Sequence, residues 1–179
     1  MKIIGISGKM GTGKTTLANI IVGKIPGAIR MSFADPVREE VAELLGLVPD
    51  DVRDQRFKER TFKLGKRSMT GREILQWWGT EIRRKADCDY WVSIMARRLS
   101  SLHDSYIPIV VIDDVRFRSE AQIIPRLIRL DPYPGWAPGP NANHPSETDL
   151  DNWGSFQAAF SPVYGTLADV ADRILYPNK

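Results

Sequence analysis

The segment Gly8-Lys9-Met10-Gly11-Thr12-Gly13-Lys14-Thr15 constrains the fold more than any other part of the chain. It matches G-x-x-x-x-G-K-[ST] without a mismatch, and its neighbours are the required ones. Lys2–Ser7 reads as an apolar strand before it, and Lys14–Val22 as a helix after it. Glycines let backbone N–H groups turn inward around phosphate oxygens, and the helix N-terminus adds partial positive charge. Gly11, Thr12, Gly13, Lys14, Thr15 and Thr16 are therefore the expected nucleotide contacts. Lys14 is expected to reach the β- and γ-phosphates, the Thr15 hydroxyl to hold Mg²⁺, and Thr16 to touch the α-phosphate. The motif by itself does not choose between a kinase, a GTPase and a motor ATPase.

The rest of the chain alternates strands with helices, which implies a parallel α/β sheet. Ala28–Phe33 reads as a second strand. Asp35-Pro36 starts a helix, Asp as cap and Pro in the first turn, that stops at Gly46. Leu47–Met69 is dense in charge and reads as a mobile arm. Thr70-Gly71-Arg72-Glu73 matches a capping box and opens a helix through about Lys85, with Ile74, Leu75, Trp78 and Ile82 as its buried stripe. Asp89–Leu102 is another helix. Ile107–Ile112 is a fully apolar strand, Ser119–Ile124 a short helix, Leu127–Leu130 and Phe156–Phe160 strands, and Asp131–Asn143 a loop rich in Pro, Gly and Asn. Thr166 is expected to cap a final helix through about Leu175.

Asp113-Asp114 falls at the carboxyl end of the Ile107–Ile112 strand, the edge where ligands bind in open α/β sheets. A carboxylate there suits Mg²⁺ directly or through water. Asp114 is the favoured one, because Arg116 lies two residues beyond it and suits a phosphate at the same edge.

With 179 residues the chain suits one domain, 1–179. No apolar run approaches bilayer-spanning length, and the N-terminus is too short in apolar residues for a signal peptide. Cys88 is the single cysteine, so no intramolecular disulfide forms and a reducing cytoplasm is the expected compartment. The net charge of +3 fits a polyanionic small ligand. Basic and acidic residues alternate without a long basic block, so neither a nucleic-acid partner nor a membrane is expected. Exposed tryptophans would make a homodimer possible.

Several separated segments resemble the phage deoxynucleoside monophosphate kinase family. They are the phosphate loop, Phe33-Ala34-Asp35-Pro36-Val37-Arg38, Thr70–Gly79, Asp113-Asp114-Val115-Arg116-Phe117, and His144-Pro145-Ser146-Glu147. The resemblance implies a three-layer P-loop kinase fold with a mostly parallel five-stranded sheet flanked by helices. It also implies an acceptor-binding insertion at about 35–103 and a loop at about 131–155. The implied reaction moves the γ-phosphoryl group of ATP, with Mg²⁺, onto a dNMP, in the host cytoplasm if the chain is phage-encoded. By position, Phe33, Ala34, Asp35 and Arg38 would line the monophosphate pocket, Arg72 would hold the acceptor phosphate, Gln76 would face the base, and Gly79 would leave room beside it. Arg116 would bridge the phosphates, and Glu147 would order its loop or contact the sugar. Lys14, Arg72, Asp114 and Arg116 would carry the chemistry. The chain departs from the family pattern at Pro125-Arg126, which shortens a helix, and at Val163, where the family has asparagine.

Two other readings stay open on the residues alone. One is a P-loop kinase with a different acceptor, a modified base in DNA or another small phosphate. The other is a non-catalytic nucleotide switch, which would need no second phosphate pocket.

Overall fold

The structure, a computed structural model, describes residues 1–103, 105–139, 142–163 and 166–177. Its internal contacts divide the chain into two units, Met1–Ser32 with Arg98–Lys179, and Phe33–Arg97. The first unit opens with β1 (Lys2–Ser7), α1 (Lys14–Lys24) and β2 (Ile29–Met31). The second contains α2 (Ala34–Leu45), α3 (Pro49–Arg53), α4 (Gln55–Glu59), β3 (Thr61–Leu64), β4 (Arg67–Thr70), α5 (Gly71–Gln76) and a π-helical segment, Trp77–Arg84. Helix α6 (Tyr90–Ser101) carries the chain back into the first unit. There β5 (Ile109–Ile112), α7 (Arg118–Gln122), β6 (Leu127–Leu130), α8 (Pro145–Thr148), β7 (Ala158–Phe160) and α9 (Leu167–Leu175) follow.

In the first unit the five strands form one parallel sheet in the order β2-β5-β1-β6-β7. Side chains alternate faces along β1. Ile4 and Ile6 join a core with Leu17, Ala18 and Ile21 of α1 and Val170, Ala171 and Ile174 of α9. Gly5 belongs to the opposite face, under Val115 and Ile124. Fully burying one such aliphatic side chain stabilises by roughly 1.5–3 kcal/mol, so this layer is the main support of the loop that leaves β1. All four residues of β5 are buried, as a continuous apolar run in a parallel sheet requires. The fold is an α/β P-loop kinase fold.

The second unit has its own core of Val41, Ala42, Val52, Phe57 and Ile74, with Phe62, Leu64, Met69 and Trp78 packed on it. Where the charged stretch 47–69 suggests a mobile arm, the chain forms α3, α4 and the β3-β4 hairpin, and puts Val52 and Phe57 inside. Each piece is too short for a period to show through its charges. The hairpin turns on Gly65-Lys66, with Gly65 at positive φ as the first position of a two-residue turn.

Three local expectations are corrected. Asp35 does not cap α2: the helix starts at Ala34 with Phe33 at the cap position, and Asp35 pairs within the first turn with Arg38 at 2.8 Å. Thr166 precedes α9 but makes no side-chain cap. Its hydroxyl donates backwards to the Val163 carbonyl at 2.8 Å. The helix expected from Thr70 to Lys85 is α-helical only to Gln76, and the wider π winding then shifts the buried stripe. Ile74 is fully buried, Leu75 and Trp78 are half-buried, and Ile82 is exposed.

Glu40 of α2 braces the π segment. Its carboxylate accepts from Trp78 Nε1 and Arg83 Nε, each at 2.7 Å, and from the Tyr90 hydroxyl. The Arg83 guanidinium lies over the Trp78 and Tyr90 rings. The Gly79 carbonyl accepts from Trp91 Nε1 at 2.9 Å.

Candidate functional site

The phosphate loop links β1 to α1, and close approach dictates its first glycine. A Cβ on Gly8 would stand 2.2 Å from the Leu130 carbonyl oxygen, and φ there is +148°. Gly11 and Gly13 are also at positive φ. Thr15 and Thr16, at the start of α1, are exposed, whereas Thr12 is buried with its hydroxyl donating to the Lys9 carbonyl at 2.9 Å. The Lys14 ammonium donates to the same carbonyl at 2.6 Å. Lys14 is 7% exposed, and its pKa is lowered from 10.5 to about 8. Burial is the main cause and the Arg116 charge the second, against the opposing pull of Glu147, Asp114 and Asp113.

The two aspartates after β5 have different partners. Asp113 is buried, accepts from Arg30 at 3.1 Å, and is hydrogen-bonded by the Thr15 side chain. Burial and the neighbouring Asp114 charge hold its carboxyl above the ordinary range, while the Thr15 and Arg30 bonds act the other way. Asp114 is half-buried and accepts from the Ser32 hydroxyl at 2.6 Å. Asp113 thus bonds the P-loop threonine, and Asp114, the member of the pair favoured from the sequence, acts on Lys14 more strongly than Asp113 does. Strand direction alone cannot show how two adjacent carboxylates divide their partners.

Arg116 is set by Glu120, which is 2% exposed and accepts from the backbone N–H groups of Arg116 at 2.8 Å and Phe117 at 3.2 Å. Nothing in the sequence singled out Glu120, although its spacing from Phe117 is that of a helix-start carboxylate. The Arg116 guanidinium donates to Glu147 and, at 3.3 Å, to the Ser146 carbonyl. Glu147 also accepts from the Met10 N–H at 2.7 Å, inside the phosphate loop. Glu147 thus ties its own segment to the phosphate loop and to Arg116. His144 accepts from the Ser146 N–H and caps α8. Lys9 reaches both Asp151 oxygens and the Glu147 carbonyl at 2.6 Å, and Trp136 Nε1 donates to the Met10 carbonyl at 2.9 Å. A cavity of about 450 Å³ lies beside the loop, bordered by Gly11, Gly13, Thr16, Ile20, Tyr133 and Leu167 among others.

The remaining expected residues lie in the second unit. Phe33 is buried at the start of α2, followed by half-buried Ala34 and Asp35. Asp35 accepts from Arg38 at 2.8 Å and from Arg53 at 3.0 Å. Arg72 projects from the first turn of α5, whose Thr70–Glu73 capping box is formed as expected. Both Arg72 and Arg38 act electrostatically on Lys58 of α4, a residue within the charged stretch read from the sequence as a mobile arm. Gln76 ends α5 and is half-buried. A Cβ on Gly79 would lie 3.4 Å from Val37 Cγ1, in ordinary van der Waals contact with α2.

No protein-family model matches the chain. A protein of Acanthamoeba polyphaga mimivirus named "Putative deoxynucleotide monophosphate kinase" is 32% identical over 167 residues, 84% of this chain and 82% of that one. The chain belongs to the deoxynucleotide monophosphate kinase family. Solved structures agree on the fold. TT1252 from Thermus thermophilus superposes with a TM-score of 0.54 at 15% identity, covering 99% of this chain and 98% of that one. Shikimate kinase from Acinetobacter baumannii, solved with shikimate, gives 0.50 at 12% identity, covering 98% and 91%. None of the described helices is long and apolar enough to cross a membrane.

Proposed function

We propose that this member of the family transfers the γ-phosphoryl group of ATP to a deoxynucleoside 5′-monophosphate, giving ADP and a dNDP for DNA synthesis. The observation that carries the reading is a second set of cations, in the unit without the phosphate loop, around an Arg72 whose side chain has no hydrogen bond or ion pair among the described residues. A nucleotide switch needs one anion site; a kinase with a phosphorylated acceptor needs two.

In this reading the N–H groups of Gly11 to Thr16 and the Lys14 ammonium hold the donor phosphates, and the cavity beside Ile20 and Leu167 takes the nucleoside end. Lys14 acquires full charge on binding, because phosphate oxygens raise a pKa that burial has depressed. Thr15, Asp113 and Asp114 are hard oxygen donors and fit Mg²⁺, which would be held by Thr15 and an aspartate, directly or through water. Bound there, the ion would neutralise charge on the donor phosphates. Arg72 and Arg38 hold the acceptor phosphate, with Asp35 fixing Arg38, Phe33 and Ala34 lining the pocket, and Gln76 facing the base. An acceptor phosphate oxygen forms the new bond to the γ-phosphorus. The bond from that phosphorus to the β–γ bridging oxygen breaks, and ADP leaves with the electron pair. The acceptor is already an oxyanion at neutral pH, its second pKa being about 6, so no strong base is required. Arg116 neutralises charge on the transferring group once Glu147 releases it.

The test is coupled ADP release with Mg·ATP and each of dAMP, dGMP, dCMP, dTMP and their ribose counterparts, with Lys14→Ala as the blank. Acceptor-dependent release on at least one deoxynucleotide, absent from the blank, is expected. ATP binding without acceptor-dependent release would sink the reading.

A further inference from the structure

Helix α4 is fastened to the start of α5. The Gly71 N–H donates to the Arg60 carbonyl at 2.9 Å, and a Cβ on Gly71 would stand 2.2 Å from the Phe57 carbonyl oxygen. Glycine is therefore what allows the two backbones to touch. Phe57 anchors α4 from beneath, 5% exposed and 5.1 Å from Phe62 between ring centroids. Lys58 follows Phe57, and Arg72 follows Gly71, so the contact that joins the backbones also brings two cations into each other's field. Arg38 of α2 joins them.

The acidic groups against this cluster are few. Asp35 is shared between Arg38 and Arg53, and Asp54 acts on Lys58 from the preceding turn. Arg72 has no carboxylate among the described residues. Lys58 is half-buried, and its pKa is lowered first by that burial and then by the Arg38 and Arg72 charges, with Asp54 opposing. Gathering like charges on a half-buried face costs stability unless an anion neutralises them. A phosphate monoester has the complementary form, with up to two negative charges on three terminal oxygens. Arginine forks grip two oxygens at once, while a lysine supplies a compact point charge to one.

We propose that Lys58 is a third phosphate-binding cation of the acceptor site, holding the terminal oxygens of a nucleoside monophosphate together with Arg38 and Arg72. This rests on the reading of the second unit as the acceptor-binding part.

Calorimetric titration of the full chain and its Lys58→Gln variant with dAMP, dGMP, dCMP and dTMP, and with the matching deoxynucleosides, tests it alongside steady-state KM values. The substitution is expected to weaken monophosphate binding by roughly ten- to a hundredfold, the range of a lost charge-assisted hydrogen bond. Deoxynucleoside binding and KM for ATP stay as they were, and Lys58→Arg recovers part of the loss. Monophosphate affinity equal in wild type and Lys58→Gln overturns the assignment. So does a loss shared equally by nucleoside and nucleotide, because a merely structural lysine does not distinguish the two. A wild-type chain that binds no monophosphate overturns the acceptor reading itself and this assignment with it, and it reveals itself before any substitution is made.

Discussion

The two units differ in how far they neutralise the cations expected to meet phosphate. Around the phosphate loop, Lys9 has Asp151, Arg30 has Asp113, Arg116 has Glu147, and Lys14 is seated on a carbonyl. In the second unit Arg72 has no acidic partner among the described residues, and Lys58 faces two arginines. The first unit therefore keeps its loop in shape with internal anions and must exchange them for those of a ligand. The second pairs Arg38, Arg53 and Arg83 with carboxylates but leaves the Arg72 guanidinium unspent. A cation already bonded is well positioned but only partly available, whereas a cation without a partner is available at some cost in stability.

Lys14→Ala is expected to lower acceptor-dependent turnover by about a thousandfold or more, on the scale of losing a donor that meets developing charge. A variant near wild-type rate in the coupled assay would deny the first unit its donor role.

The depressed Lys14 pKa gives a second test with two opposite slopes. The unfolded chain keeps this proton up to about 10.5, and the folded chain releases it near 8. Between those values the unfolded state binds more protons, so stability rises with pH. The cost of holding buried Lys14 charged, on the order of 3 kcal/mol, is fully present below about pH 8 and relaxes above it. Nucleotide affinity goes the other way, falling as pH climbs past about 8. Denaturant titrations across this window should show the rise, and Lys14→Met should flatten it. Calorimetry above pH 8, in buffers of different ionisation enthalpy, should show proton uptake on ATP binding.

Arg72→Gln sharpens the contrast. It should lower kcat/KM for the acceptor by about a hundredfold while KM for ATP barely moves. Equal damage to both substrates would show that the second unit's charge is not reserved for one of them. The smallest effect is expected at the cap beneath Arg72. Thr70→Ala should cost about 1 kcal/mol in urea unfolding and raise KM for the acceptor more than KM for ATP.

Much of the first unit is legible in its residues, because each signal there is local. The loop pattern lies between an apolar strand and a helix, and Ile109–Ile112 is apolar throughout and ends at an aspartate pair. The second unit hides more. Val52, Phe57, Phe62, Leu64 and Met69 are scattered among charges in elements of four or five residues, too few for a period to declare itself. Lys58 was unreadable for the same reason, since its meaning depends on Gly71 and Phe57 bringing two helices together. The different partners of Asp113 and Asp114, Thr15 with Arg30 for one and Ser32 for the other, depend on side-chain directions that the strand does not reveal. The π winding after Gln76 depends on Glu40 and Trp91, which no window around residue 77 contains.

That winding absorbs more residues per turn than an α-helix would over the same span. Trp78 and Arg83, at i and i+5, therefore reach one Glu40 carboxylate, as residues at i and i+4 would on an α-helix. Removing a residue between them would let the segment rewind as an α-helix with both still on the face that meets Glu40. Longer insertions belong at the exposed hairpin tip, Gly65-Lys66, where a turn can grow without moving an anchor.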